Sequence, residues 1–280
     1  MDNPFDAVTS SYGRVRPGYP GAAVDAVEAA AGGAPGGRVA ADIGAGTGKM
    51  TGALAARGWR VVAVEPSAAM RAQLRASMGL GRTAGAEPAV SVRDATAERT
   101  GLGDGSVDLV VYAQSWHWVE PEAAGAEAAR ILRPGGAIAA VWNQMDVSDP
   151  WVLRLTRIMR SGDVHRAGDP PAFGPGFTRP ELRVVRWVDT MTVEELLELG
   201  TTRSSYLRQD PAGRARMQEN LRWYLLEHPG VRSHWAARGP GEPEGPGGLV
   251  ATAGPAGALI ALPYTTLVWT ARPVPAYSQG

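Results

Sequence analysis

The stretch Val39-Ala40-Ala41-Asp42-Ile43-Gly44-Ala45-Gly46-Thr47-Gly48 runs an apolar strand directly into a turn of alternating glycines. Glycine permits positive φ and lets a ligand approach the backbone closely. The helix that begins after the turn offers unpaired N–H groups at its N-terminus. The spacing narrows what such a turn can serve. A nucleoside-triphosphate P-loop needs Gly at 43 and Ser or Thr at 50, where Ile43 and Met50 stand. The dinucleotide fingerprint needs its third glycine at 49, which is Lys49, the one lysine of the chain.

Outward from the turn, short β-branched runs alternate with helical stretches between 38 and 143, the pattern of βαβ units and of a mostly parallel buried sheet. Strands are expected at 39–43, 60–64, 89–93, 107–112 and 137–142. Helices are expected at 50–57, 68–77 and 121–132, the last stopped by Arg133-Pro134-Gly135-Gly136. Beyond Asn143 the alternation gives way to a helix at 149–160, a Pro/Gly-rich loop through 180 and a strand at 182–188. Helices at 192–200 and 210–227 follow, then a Gly/Pro-dense stretch at 238–257 and a last strand at 264–269.

Two carboxylates stand where an open α/β sheet binds ligands. Glu65 ends the second strand, about twenty residues beyond the glycines, where a carboxylate accepts ribose hydroxyl protons. Asp94 ends the third, with an adenine amino group as its natural partner.

Composition bounds the rest. The 280 residues carry 28 basic and 28 acidic side chains, so no net charge draws the chain to nucleic acid or to an anionic membrane. The expected partner is a small molecule, and the chain is expected as a monomer or homodimer. Cysteine is absent, which excludes disulfides, thiolate nucleophiles and Cys-ligated metals and favours a cytoplasmic address. No His, Asp or Glu cluster has metal-ligand spacing, so no metal is expected. The opening residues lack a basic segment followed by an apolar one, and the apolar stretch 249–262 is short and interrupted by Gly254, Pro255 and Gly257.

The motifs together resemble class I S-adenosylmethionine-dependent methyltransferases. The segment from Asp42 to Gly48 is similar to that family's first motif, and Glu65-Pro66-Ser67-Ala68-Ala69-Met70 to its acidic second-strand end. Asp94-Ala95 is similar to its adenine-contacting pair. Gln114-Ser115-Trp116-His117-Trp118 and Leu132-Arg133-Pro134-Gly135-Gly136 also fit. The ends, Tyr12-Gly13-Arg14-Val15-Arg16-Pro17-Gly18-Tyr19-Pro20 and Leu262-Pro263-Tyr264-Thr265-Thr266-Leu267-Val268-Trp269, resemble the branch related to trans-aconitate methyltransferases.

The resemblance implies a Rossmann-like, seven-stranded, mostly parallel α/β sheet with helices on both faces and a helical insertion before the last strand. It divides the chain into a cofactor-covering segment 1–37, a cofactor-binding core 38–191, a helical lid with its loop 192–257, and a last core strand and tail 258–280. It further implies S-adenosylmethionine as cofactor and S-adenosylhomocysteine as product. Asp42, Gly44, Ala45 and Gly46 would hold the methionine part, Glu65 the ribose, and Met70, Asp94 and Ala95 the adenine, with Pro66 a further cofactor contact. Gln114 would mark the strand end nearest the sulfonium, with Tyr12 and Arg16 closing over the cofactor.

His117 is the histidine the topology puts beside the reacting centre, a candidate general base. Trp116, Trp118, Trp142, Asn143 and Tyr206 are the expected acceptor contacts. The expected activity is methyl transfer to an oxygen of a small acid or secondary metabolite. Two other readings stay open at this point: a non-methylating cyclase on the same scaffold, and a non-catalytic module that binds the cofactor.

Overall fold

Short apolar runs become strands here because helices cover the sheet they form. The computed structural model describes residues 10–32, 38–80, 89–161, 165–232, 234–236 and 259–274. Two helices, α1 (Ser10–Val15) and α2 (Gly21–Ala31), precede the first strand. Strand and helix then alternate, save between β3 and β4: β1 (Val39–Ile43), α3 (Lys49–Ala55), β2 (Arg60–Val64), α4 (Ala68–Ser77), β3 (Val90–Arg93), β4 (Val107–Ala113), α5 (Pro121–Ile131), β5 (Leu132–Met145), α6 (Pro150–Met159) and β6 (Glu181–Thr192). Helices α7 (Val193–Thr201), α8 (Ser204–Leu207), α9 (Pro211–Glu227) and α10 (Pro229–Arg232) intervene before β7 (Trp235–Ala236) and β8 (Leu259–Ala271).

The strands lie in the order β3-β2-β1-β4-β5-β8-β6, with the two-residue β7 added against β8. The pairs from β3 to β5 are parallel, while β8 runs antiparallel to both β5 and β6. This is the seven-stranded Rossmann-like sheet with its helical insertion between β6 and β8. Alternation along β1 sorts side chains to two faces. Ala41 and Ile43 join Ala124, Ala128 and Ile131 of α5, whereas Ala40 joins Val24 and Val27 of α2 and Met50 and Leu54 of α3. Each large apolar side chain buried this way contributes about 1.5–3 kcal/mol relative to exposure.

Helix α2 was not foreseen in the segment 1–37. Its buried positions are Ala23, Val24, Val27 and Ala31, too small to give a marked apolar stripe in sequence, yet small enough to seat the helix against β4, β5, β6 and β8. Strand β5 is also longer than expected. Residues 133–136 form an irregularity inside the strand, between the pairs Val107–Leu132 and Leu109–Ala137; Gly135 takes φ 85° there, and a Cβ on Gly136 would stand 2.8 Å from the Asp108 carbonyl oxygen.

The insertion shares a core with the sheet. Leu196 and Leu199 of α7 and Leu221 and Tyr224 of α9 pack with Trp151 and Leu155 of α6 and with Ile260 and Leu262 of β8. Helix α7 starts with a capping box, in which Thr192 and Glu195 satisfy each other's backbone N–H groups. Gly200 lets α9 approach, since a Cβ there would meet Leu221 at 2.9 Å. The Gly/Pro-dense stretch 238–257 lies outside the described residues. No helix among the described residues is long and apolar enough to cross a membrane.

Candidate functional site

Strand order reverses between β1 and β4, and a crevice opens there at the carboxyl ends, as it does in open α/β sheets generally. The glycine turn leaves β1 with Gly44 at φ 68°, Gly46 at 57° and Gly48 at 88°. Gly44 and Ala45 fold back on β2, both donating to the Val64 carbonyl, at 2.8 and 3.1 Å. Beyond β4, Gln114 takes φ 61°, a conformation few non-glycine residues adopt. Its Nε2 donates to the Asn143 carbonyl oxygen at 2.5 Å, linking the ends of β4 and β5. Ser115 donates to the Ile43 carbonyl, also at 2.5 Å, tying β4 to β1.

Two buried carboxylates brace the turn from behind. Glu65 accepts the Gly46 N–H on Oε2 and the Ser67 N–H on Oε1, both at 2.9 Å. Asp42 is fully buried, and its Oδ2 accepts the Thr51 hydroxyl at 2.6 Å. Its Oδ1 has no partner among the described residues. Burial pushes the Asp42 carboxyl up to about 7, opposed by the Thr51 hydrogen bonds and reinforced by the charge of Glu65.

The crevice is a cavity of about 460 Å³. The glycine turn, Gln114, Met70, the C-terminal part of α6, the α7–α8 junction and Tyr264 of β8 line it. Arg16, Lys49, Arg160, Arg203 and Arg208 line it, and no Asp or Glu among the described residues does. Burial holds Lys49 below the ordinary lysine range, with the nearby Asp189 carboxylate pulling the other way.

A family model for the methyltransferase domain matches residues 41–140. The chain is similar to an uncharacterised methyltransferase of Mycobacterium tuberculosis, 37% identical over 232 residues that cover 82% of this chain and 89% of that one. The chain belongs to the methyltransferase family. A solved structure described as a type II methyltransferase from Anaeromyxobacter dehalogenans is 25% identical, with a TM-score of 0.55 over 91% of this chain and 96% of that one. The fold is shared with phosphoethanolamine N-methyltransferase 2 of Haemonchus contortus, solved with phosphomonomethylethanolamine and S-adenosylhomocysteine. There the identity is 14% and the TM-score 0.50, over 94% of this chain and 57% of that one.

Within this methyltransferase the expected site residues divide into two sets. Arg16, Gly44, Ala45, Gly46, Met70, Gln114, His117, Trp118 and Asn143 come together on the cavity wall. Asp42 and Glu65 stand one layer behind it. Asp94 is engaged by Arg71, which donates to its two oxygens at 2.8 and 2.7 Å and to the carbonyls of Glu65 and Pro66 at 2.8 Å. Asp94, Ala95 and Pro66 therefore lie off the cavity wall. Tyr12 belongs to α1, and its side chain falls outside those described.

The tryptophans part company. Trp118 is 58% exposed at the cavity rim. Trp116 is buried, edge-on to Tyr112 and Phe173, so it serves the core. Trp142 is buried as well, and its indole N–H donates to His117 Nδ1 at 3.2 Å while its ring stacks on His165. A neutral imidazole that accepts at Nδ1 carries its proton on Nε2. Tyr206 of α8 stands beneath the Arg214 guanidinium and off the wall, which its neighbours Ser204 and Ser205 line instead.

Arg160, Arg203 and Arg208 carry no spacing signal in the sequence. Lys49 is legible there only as the residue that spoils the dinucleotide fingerprint.

Proposed function

We propose that this methyltransferase takes its methyl group from S-adenosylmethionine and passes it to an oxygen of a small acid or secondary metabolite. The observation that carries the reading is the cavity's composition: glycine turn on one wall, five cations around it, no lining carboxylate among the described residues.

The chain's residues fit the cofactor. A Cβ at Gly46 would meet nothing within 4 Å, so the cradle is open where backbone must come close to a ligand. The Glu65 carboxylate supplies negative charge beside that turn, and the buried Asp42 carboxyl leaves one oxygen without a partner among the described residues. In this reading Asp42, Gly44, Ala45 and Gly46 hold the amino-acid part, Arg16 its carboxylate, Glu65 the ribose and Met70 the adenine ring. Asp94 and Ala95 reach the adenine only if Asp94 shares its oxygens with Arg71.

When bound, S-adenosylmethionine supplies a methyl group on a sulfonium, already a good leaving group. The chain's share of the work is alignment, worth up to about 7–11 kcal/mol in favourable cases. Gln114 and Asn143, fixed to each other and to Gly18, mark the strand ends between donor and acceptor. A carboxylate acceptor needs no base, and His117 with its proton on Nε2 then orients the acceptor oxygen by donation. The helices over the cavity exclude water.

The test is calorimetric titration with S-adenosylmethionine and S-adenosylhomocysteine, followed by incubation with a panel of small carboxylic acids and phenols and mass analysis of the products. Binding of both nucleosides and a product heavier by one methylene are expected. Absence of affinity for either nucleoside overturns the reading.

A further inference from the structure

A series of hydrogen bonds runs from the edge strand β6 across β8 to a residue of the cavity wall. Asn143 of β5, which lines the cavity, stands directly opposite Thr266 of β8 in the antiparallel pair. The Thr266 hydroxyl lies 2.6 Å from Asn143 Oδ1. The indole nitrogen of Trp187, diagonal to Thr266 on β6, lies 2.9 Å from the same hydroxyl. On its other side Asn143 places its Nδ2 2.6 Å from the Gly18 carbonyl oxygen.

Donors and acceptors along this series have one consistent order. An indole N–H can only donate, so the Thr266 oxygen accepts it and the hydroxyl proton is left for Asn143. Asn143 therefore turns its oxygen to Thr266 and its NH2 to Gly18, whose carbonyl can only accept. Thr266 is fully buried, and a buried series with every member satisfied holds a single geometry. What it holds is the segment that precedes α2. Arg16, Pro17 and Tyr19 line the cavity. Arg16 donates to the Thr202 carbonyl at the end of α7, at 2.8 Å, while Gly18 receives Asn143. Two positions apart, the segment is thus tied to the helical insertion and to the sheet.

We propose that Thr266 is a positioning residue of the methyl-transfer site: by fixing the Asn143 amide it fastens residues 16–19 to the sheet and so sets the part of the wall that Arg16 and Tyr19 contribute. The inference rests on the reading of the cavity as a methyl-transfer site, in which Arg16 meets the cofactor's carboxylate.

Thr266→Val, Thr266→Ser and Asn143→Asp are compared with wild type by the backbone amide NMR resonances of Gly18 and Tyr19 and by calorimetric titration with S-adenosylhomocysteine. Thr266→Val deletes the hydroxyl and Thr266→Ser keeps it. Asn143→Asp keeps an acceptor for Thr266 but sets an oxygen against the Gly18 carbonyl, so it reads the Gly18 contact even where Thr266→Val lowers stability. Displaced Gly18 and Tyr19 resonances and about tenfold weaker nucleoside binding are expected in Thr266→Val and Asn143→Asp, with both readouts near wild type in Thr266→Ser. Unmoved resonances or undiminished nucleoside affinity in Asn143→Asp, or a Thr266→Ser that behaves as Thr266→Val, overturns the assignment. A wild type without affinity for S-adenosylhomocysteine would instead overturn the function on which it rests, and the resonances alone would then judge the hydrogen-bond series.

Discussion

Glu65 holds Gly46: the carboxylate at the end of β2 accepts the backbone N–H at the middle of the glycine turn, at 2.9 Å, with its other oxygen on Ser67. A side chain expected to meet a ribose is thus already part of the turn's scaffold. Glu65→Ala removes two charge-assisted hydrogen bonds from a site only 6% exposed, each worth about 1.5–3 kcal/mol. Affinity for S-adenosylhomocysteine should fall by about tenfold or more, about 1.4 kcal/mol, together with the melting temperature. Calorimetry that finds the wild-type affinity would remove Glu65 from the site.

Gly44 and Ser115 stand so close that a Cβ on Gly44 would lie 2.6 Å from the Ser115 Cβ, at φ 68°. Gly44→Ala should therefore destabilise by about 1–3 kcal/mol from backbone strain alone, with the clash adding to it. Combining it with Ser115→Gly should relieve the clash and leave the strain, while Ser115→Gly alone loses the hydroxyl's bond to the Ile43 carbonyl. Urea unfolding of both single variants and of the double gives the coupling between the two sites, and strictly additive effects would show the clash to be negligible.

Asp42 gives stability a pH dependence of known sign. Its carboxyl is raised from the usual 3.8 to about 7 by burial. Between those values the folded chain keeps a proton that the unfolded chain has released. The contribution is then fully present below pH 3.8 and is lost as pH rises through about 7. Asp42→Asn has no such proton, so its stability relative to wild type should grow with pH across that window. Unfolding curves from pH 4 to 8 test it, and a flat difference would contradict the assignment.

His117 and Trp142 form a pair in which the indole N–H fixes the imidazole tautomer. His117→Ala should lower turnover by about a hundredfold, at the modest end of what a positioned proton-handling group contributes, with cofactor affinity unchanged. Trp142→Phe should lower turnover less and leave His117 present but unfixed. Steady-state kinetics beside calorimetry separates the two readouts, and wild-type turnover in His117→Ala would make the pair purely structural.

How much of this was legible in the sequence depends on range. The bounds of β1, β2 and α4 match those expected from short, largely apolar runs and from the glycines, which act within a few residues. Helix α2 escaped because alanines bury well without announcing a face. Strand β5 outran its expected length because Leu132 already pairs with Val107 and pairing resumes at Ala137 with Leu109, so the turn-like residues 133–136 sit in an irregularity inside the strand rather than ahead of it. Trp116 follows strand β4 and Trp142 lies within β5, and only packing shows both to be core.

The sequence by itself determined the parallel α/β core, the glycine turn at the end of β1 and the carboxylate at the end of β2. Strand periodicity, positive φ and the reach of a side chain at a strand end are local properties. The tertiary structure alone decided which side chains meet across the cavity. Tyr264 lies more than two hundred residues beyond Gly44. It faces the site because β8 inserts antiparallel between β5 and β6, in a register that pairs Met145 with Tyr264. Arg203 reaches the same cavity because α7 packs on α9 and α9 on α6. Such contacts depend on registers and buried surfaces assembled from distant segments, and no local pattern of residues encodes them.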